Sequence, residues 1–171
     1  MKLDTLFSPM KIGSCEIPNR LVVPAMVTNY CNLEGTITPR YLRYMEEKAK
    51  GGWGLLITED YCVQENRKGY TRIPGLWNDG QIAGNVELTD AVHAHGSKIF
   101  CQMYHPGRQV MPQSTFGMPL QAPSATTCPA CQGPAQEMTV DEIHQLVADF
   151  GFAADRAKQA GFDGIELHCA H

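Results

Sequence analysis

The sequence lacks several features that would place it in well-known classes of protein. No apolar run approaches the roughly 20 residues that span a bilayer, and the start lacks the apolar centre of a signal peptide. The net charge is −4, which offers no positive surface to nucleic acid or to an anionic membrane. The cysteines number seven and are mostly isolated, as is typical of reduced thiols. We therefore expect a cytoplasmic protein that binds neither nucleic acid nor membranes.

A glycine-rich phosphate fingerprint is also missing after the first strand-like run, which disfavours the doubly wound nucleotide-binding fold. What the chain does have is an alternation of strand and helix signals. Helices are predicted after the N-cap and proline Thr38-Pro39, after Asn78 or Asp79, and after the capping box at Thr139. A buried strand and its exit, closed by Pro24, are predicted over residues 19–26, and buried strands are predicted over residues 53–60, 97–105 and 164–168. A long segment rich in proline and glycine, residues 106–138, is predicted to be irregular.

Four strands that alternate with helices indicate an α/β protein with a parallel sheet. A complete (β/α)₈ barrel typically needs about 250 residues, and the repeats here number about half of eight. The sequence of 171 residues therefore predicts the N-terminal half of a (β/α)₈ barrel, with a chain that ends inside the domain. A half-barrel exposes the edges of its outer strands, so we also expect self-association through these edges or pairing with a missing half.

Polar side chains on the predicted inner strand face are the candidate functional residues. Because side chains alternate along a strand, Gln102 and Cys101 point to opposite faces of the sheet, and Glu166 shares a face with His168. A buried amide without a partner costs about 1–3 kcal/mol, so Gln102 needs either a neighbouring protein group or a bound ligand. His168 lies at the carboxyl end of its strand, where barrel active sites are built, and His171 follows just beyond it.

Six segments occur in an order and spacing that resemble one family: NRLVVPAM, GGWGLLITE, CQMYHPGRQ, APSA, EMTVDEI and AGFDGIELHCAH. Together they resemble the old yellow enzyme family. The similarity is strongest to its branch of NADH:flavin oxidoreductases, enoate reductases and bile-acid-type dienoyl reductases. The resemblance implies a barrel that binds FMN and uses NAD(P)H to reduce activated C=C bonds of α,β-unsaturated carbonyl or enoyl substrates.

The resemblance also assigns roles to individual residues. His168 and His171 match the histidine pair that donates hydrogen bonds to the substrate's carbonyl oxygen. Val27 stands where some relatives carry a cysteine or histidine that tunes the flavin. The implied FMN contacts are Pro24, Ala25, Met26, Thr28 and Gln102.

Other parts of the family's machinery would lie beyond residue 171. These are the phosphate-binding loops, a proton-donating tyrosine and, in the long branch, the cysteines of a [4Fe–4S] cluster. We therefore expect the residues 1–171 to be inactive as an enzyme when isolated.

Two other functions and one motif remain open at this stage. A different barrel enzyme would use Glu166, His168 and His171 around a divalent metal, and a non-catalytic half-barrel would serve only as a pairing module. The pair Cys128 and Cys131 lies in a long loop without a second cysteine pair, which favours structural thiols over a metal or redox role.

Overall fold

The structure is a computed structural model that describes residues 3–111, 114, 116–131 and 133–170. His171 lies outside the described residues. In the described part of the chain the elements are β1 (Met10–Ile12), β2 (Cys15–Ile17), β3 (Val22–Val23), α1 (Pro39–Lys50), β4 (Leu55–Ile57), β5 (Tyr61–Cys62), a 3₁₀ turn (Asp79–Gln81), α2 (Ile82–His93), β6 (Lys98–Tyr104), β7 (Leu120–Ala122), β8 (Ala135–Glu137), α3 (Val140–Gln159) and β9 (Gly164–Leu167).

The main sheet is parallel, as the alternation of strands and helices predicts. Strand β3 pairs with β4, β4 pairs with β6, and β6 pairs with β9, all in parallel. Strand β5 continues β4 along the same side of β6. The four predicted strands therefore lie side by side in chain order, each joined to the next by a segment that contains a helix.

Two of the three helices begin where the sequence predicts. The Thr38 side chain accepts a hydrogen bond from the backbone of Tyr41 at the start of α1. The start of α3 is a capping box, in which Thr139 and Glu142 satisfy each other's backbone N–H groups. The middle helix opens with the 3₁₀ turn and ends at His93, shortly before the chain turns through Gly96 in a left-handed conformation.

Several predicted boundaries were wrong. The strand predicted over residues 19–26 is reduced to β3, and the strand predicted over residues 53–60 is interrupted after Ile57. Between Ile57 and Tyr61 the chain advances four residues while β6 advances three, from Phe100 to Met103, so the strand contains a bulge. The segment predicted to be irregular contains a parallel pair, β7 with β8, and the hairpin of β1 and β2 was not predicted at all.

The two faces of the sheet are covered differently. Ile99, Cys101 and Met103 point outward into the main core, where they pack with residues from all three helices. Phe100 points to the other face, where it packs with Leu55 and the hairpin residue Ile17. The hairpin therefore covers the part of the inner face next to Leu55 and Phe100.

Strand β9 departs from the expectation that both faces of a barrel strand are buried. Its outward side chains Ile165 and Leu167 are 39% and 60% exposed. Among the described residues β9 pairs with β6 alone, so one edge of the strand carries no partner strand. This edge and the two apolar side chains form a surface suited to a further strand and helix.

Candidate active site

The carboxyl ends of β3, β5, β6 and β9 lie at one end of the parallel sheet, which we call the mouth. The chain leaves β3 through residues 24–29, β6 through His105 and β9 through His168. These positions place His168 and the predicted cofactor contacts at the same end of the molecule, which is where α/β barrels build their active sites.

Gln102 lies at the mouth on the inner face and is only 7% exposed. Its backbone N–H donates to the hydroxyl of Thr58 at 3.0 Å, and its side-chain Nε2 donates to Oε1 of Glu166 at 2.6 Å. Glu166 therefore satisfies one of the two side-chain N–H donors of Gln102. A carboxamide offers two N–H donors and a carbonyl acceptor, so Gln102 retains further capacity to bind a ligand.

His168 lies on the same face as Gln102 and Glu166, as the alternation predicts. Its backbone N–H donates to the carbonyl of Met103 at 3.0 Å, which extends the β6–β9 ladder by one residue. Its ring lies 5.4 Å from the ring of Tyr104, with the planes tilted by 49°. Backbone pairing and ring packing together fix the direction of the imidazole at the end of the strand.

Tyr104 is buried beneath His168, and its ring occupies space that is free because residue 69 is a glycine. A Cβ on Gly69 would come within 2.1 Å of the Tyr104 hydroxyl, so a larger residue at position 69 would displace the ring. Burial, followed by the charge of Asp60, raises the pKa of the Tyr104 phenol. The ring therefore stays neutral and acts as a wall of the site.

Glu59 is a functional candidate that sequence reasoning missed. It lies in the bulge between β4 and β5 and is 2% exposed. Its carboxylate accepts hydrogen bonds from the backbone N–H of Thr28 at 2.8 Å, the Thr28 hydroxyl at 2.5 Å and the backbone N–H of Asn29 at 3.3 Å. Glu59 therefore holds the segment that carries four of the five predicted cofactor contacts.

The bulge also holds Gln102, because Thr58 replaces a backbone carbonyl as the acceptor for the Gln102 N–H. The Thr58 hydroxyl in turn donates to the carbonyl of Glu59 at 3.0 Å. The signal for this arrangement was present in the sequence: Thr58, Glu59 and Asp60 are three polar residues at the end of an apolar run. Buried polar groups of this kind need partners, and here two of them position predicted site residues.

The predicted contacts in residues 24–26 lie on the open side of the mouth. Pro24 is exposed, Ala25 is half-buried and Met26 is 52% exposed. Val27, in contrast, packs against the buried cluster that includes Tyr104. The side chain that replaces the cysteine or histidine of some relatives therefore has a packing role. The hydroxyl of Thr28 is engaged by Glu59, and its backbone carries the second contact to the same carboxylate.

His105 follows Tyr104 at the mouth and is held neutral. Burial, together with the charge of Arg67, lowers the pKa of His105 to about 4. Its Nδ1 accepts a hydrogen bond from the backbone N–H of Gly107 at 3.2 Å. Next in the chain, Arg108 donates to the hydroxyl of Thr126 at 3.1 Å and so ties the start of the long segment to its middle.

The alternative of a divalent metal site gains no support from the described part of the chain. There, no group of three or more histidine, cysteine, aspartate or glutamate side chains has a geometry that could hold a metal ion. Glu166 is bound to Gln102 instead, and His171, the third proposed ligand, lies outside the described residues.

No described helix combines the length and apolar character needed to cross a membrane.

Comparison with known proteins gives a consistent result over almost the whole chain. The sequence model of a family described as the NADH:flavin oxidoreductase / NADH oxidase family matches residues 5–171. An NADH oxidase of Thermoanaerobacter brockii is 42% identical over 170 residues, which are 97% of this chain and 26% of that protein.

Two solved structures extend this result to the fold. A complex of 2-naphthoyl-CoA reductase with 2-naphthoyl-CoA superposes with a TM-score of 0.91 at 29% identity, covering 97% of this chain and 27% of that chain. An old yellow enzyme homologue from Zymomonas mobilis superposes with a TM-score of 0.87 at 29% identity, covering 96% of this chain and 48% of that chain. The chain thus spans between a quarter and a half of these relatives, and the predicted half of a (β/α)₈ barrel is confirmed.

Proposed function

Because the chain belongs to the NADH:flavin oxidoreductase / NADH oxidase family, we propose that it forms the N-terminal half of an FMN-binding barrel that reduces activated C=C bonds with NAD(P)H. The substrates would be small α,β-unsaturated carbonyl or enoyl compounds. The remaining strands would complete the barrel, and we refer to the polypeptide that contains them as the complete barrel.

The observation that carries this proposal is the convergence of Gln102 and His168 on one face of the mouth. The two residues are 66 positions apart in the sequence, yet the β6–β9 ladder brings them onto adjacent strands, where Gln102 pairs with Glu166, two residues before His168. A carboxamide and an imidazole at the open end of a parallel sheet provide one group that can bind a heterocycle and one that can donate to an oxygen atom.

The residues present fit FMN in the chemistry of their donors and acceptors. The carboxamide of Gln102 offers the acceptor and donor that match the carbonyl and N–H of the flavin's pyrimidine ring. Residues 24–26 offer exposed backbone beside the small side chain of Ala25, which permits close approach of a planar ring. When bound, FMN would supply the hydride chemistry, while the protein binds and orients.

The role proposed for His168 is to donate a hydrogen bond to the carbonyl oxygen of the substrate, together with His171. Negative charge develops on that oxygen during reduction of the C=C bond, and a preorganised donor stabilises it. The Tyr104 ring and the backbone bond to Met103 hold the imidazole in place before the substrate arrives. This preorganisation is what gives such a donor its catalytic value.

The exposed outward side of β9 supports the proposal that the barrel continues. Burying Ile165 and Leu167 beneath a further helix would remove apolar surface from water, at about 25 cal/mol per Å². In the absence of those elements, the same edge would serve for self-association. An iron–sulfur cluster, if the complete protein belongs to the longer branch, would be held outside residues 1–171.

The first test compares the complete barrel with residues 1–171. We expect the complete barrel to bind FMN, to lose its yellow colour with NAD(P)H without oxygen, and to regain it with an enone such as 2-cyclohexenone. Residues 1–171 alone should bind FMN weakly and sustain no turnover. A colourless complete barrel that FMN cannot reconstitute would overturn the proposal.

The second test is His168→Ala in the complete barrel, with stopped-flow measurement of both half-reactions. Flavin reduction by NAD(P)H should remain nearly unchanged, whereas reoxidation by the enone should slow by roughly 10²–10³-fold, the value of one such donor. His95→Ala is the matched control because His95 is exposed and lies between α2 and the amino-terminal end of β6, at the end of the sheet opposite the mouth. An unchanged reoxidation rate would remove His168 from the mechanism.

A further inference from the structure

The pair Cys128 and Cys131 forms a compact feature in the long segment between β6 and α3. Residues 129–131 form a turn, which begins with Pro129. An antiparallel bridge between Thr127 and Pro134 lies around this turn, and the N–H of Ala135 donates to the carbonyl of Thr126 at 2.9 Å. A turn of this kind brings residues three apart into the range that a disulfide can span.

The two thiols differ in acidity. Hydrogen bonding from the backbone N–H groups of Cys131 and Ala130 and from the Cys131 thiol, with the positive charge of Arg108, lowers the pKa of Cys128. Burial, together with the neighbouring Cys128, raises the pKa of Cys131. The pair is therefore asymmetric, with Cys128 the more acidic of the two thiols.

The exposure of the pair is also asymmetric. Cys128 is 3% exposed, whereas Cys131 is only half-buried, so a molecule in solution reaches Cys131 first. The dithiol is therefore reached from solvent through one of its two sulfur atoms.

A metal site is a poorer explanation for this pair. Zinc sites use four ligands or three ligands with water, and no third candidate ligand joins these cysteines among the residues that the structure describes. Two thiols three residues apart at one turn, with one sulfur exposed more than the other, are an arrangement suited to thiol–disulfide exchange.

We propose that Cys128 and Cys131 form a reversible dithiol–disulfide site that exchanges with small-molecule disulfides. The Cys131 thiol gives its proton to solvent and attacks the disulfide RS–SR, which forms Cys131–S–S–R and releases RS⁻. The Cys128 thiolate then attacks the sulfur of Cys131, which forms the Cys128–Cys131 disulfide and releases a second RS⁻. The two protein thiols are oxidised by two electrons, and the external disulfide is reduced to two thiols. This site is independent of the function proposed above.

The test uses the reduced 171-residue chain and oxidised glutathione as the probe. After acid quenching and alkylation, peptide mapping should find Cys128 and Cys131 unalkylated and joined, with a mass two hydrogen atoms lower than the dithiol. Dithiothreitol should restore both thiols. The closing step should be at least about tenfold faster in the folded chain than in the urea-unfolded chain, because the fold holds the sulfurs together.

The variants separate this site from ordinary thiol chemistry. Cys128→Ser should accumulate a stable glutathione adduct at Cys131, because the attacking thiolate is missing. Cys169→Ser is the matched control, since Cys169 is an exposed, isolated cysteine, and it should leave closure of the pair unchanged. The proposal is overturned if both cysteines remain fully alkylated after oxidation, if each carries its own glutathione, or if closure is no faster in the folded chain.

Discussion

Replacement of Glu59 tests how the bulge holds the mouth, and the expected size of the effect can be worked out from its contacts. In Glu59→Leu, the Thr28 hydroxyl and the N–H groups of Thr28 and Asn29 lose their acceptor. A buried donor without a partner costs about 1–3 kcal/mol, but Thr28 is half-buried and Asn29 is exposed, so water compensates in part. Loss of the carboxylate also removes its desolvation cost. We therefore expect a net loss of about 2–4 kcal/mol in the free energy of unfolding.

Glu59→Gln separates the hydrogen bonds from the charge. The amide oxygen can still accept from two backbone N–H groups, and the Thr28 hydroxyl can reverse its role to accept from the amide. The expected loss is about 1 kcal/mol or less. Urea unfolding followed by circular dichroism measures both variants. With a slope of about 2 kcal/mol per M, the leucine variant should shift the midpoint down by about 1–2 M.

The pH dependence supplies an independent check on the same residue. Burial is the main cause that raises the pKa of Glu59 in the folded chain. Its contribution to stability is therefore fully present below the ordinary glutamate pKa of about 4.3 and is lost as pH rises through the raised folded value. Glu59→Gln should remove this part of the pH profile.

The exposed Glu65 provides the control, and Glu65→Gln and Glu65→Leu should each change stability by less than about 0.5 kcal/mol. The reasoning is refuted if Glu59→Leu unfolds within about 0.5 kcal/mol of the unmodified chain. A glutamine variant as unstable as the leucine variant would show that charge, and not the number of hydrogen bonds, holds the segment. In the complete barrel, Glu59→Leu should also weaken FMN retention.

Three further predictions address other parts of the molecule. In the complete barrel, Gln102→Leu should weaken FMN binding by the value of a hydrogen bond to the ligand, about 1–3 kcal/mol, measured by fluorescence titration; equal affinity would show that the amide serves only the protein. Gly164→Ala should destabilise the chain by about 1–3 kcal/mol because its Cβ would lie 2.6 Å from an aromatic ring of β6. Gly151→Ala on α3 is the control, because its Cβ meets open space, and urea unfolding should find this variant equally stable or more stable. Burial would raise the pKa of Asp163, but hydrogen bonds from Lys98 and a histidine lower it overall. The stabilisation by Asp163 is therefore present above the ordinary aspartate pKa of about 3.9 and is lost as the pH falls through the folded value. Asp163→Asn should reduce the loss of unfolding free energy at acid pH, and an unchanged acid loss would contradict this.

Local sequence patterns were enough to predict the order of the elements and the direction of the key side chains. Thr38 and Thr139 marked the helix starts because a cap is a local device that uses residues a few positions apart. The twofold period of a strand placed Gln102 and His168 on one face, and the hydrogen bond from Gln102 to Glu166 agrees with that period. His171 lies outside the described residues, so its role stays a prediction.

Which groups become partners could not be predicted from local patterns and depends on the folded chain. Thr28 and Glu59 are 31 residues apart, and their contact depends on a bulge that adds one residue to a strand whose local sequence reads as continuous. The parallel pairing of β7 with β8 and the turn between Cys128 and Cys131 likewise arise within a segment without a periodic pattern. Local patterns report backbone torsions and the face of each side chain. The identity of a distant partner is fixed only when the folded chain brings two buried polar groups within hydrogen-bonding distance, because each must be satisfied there.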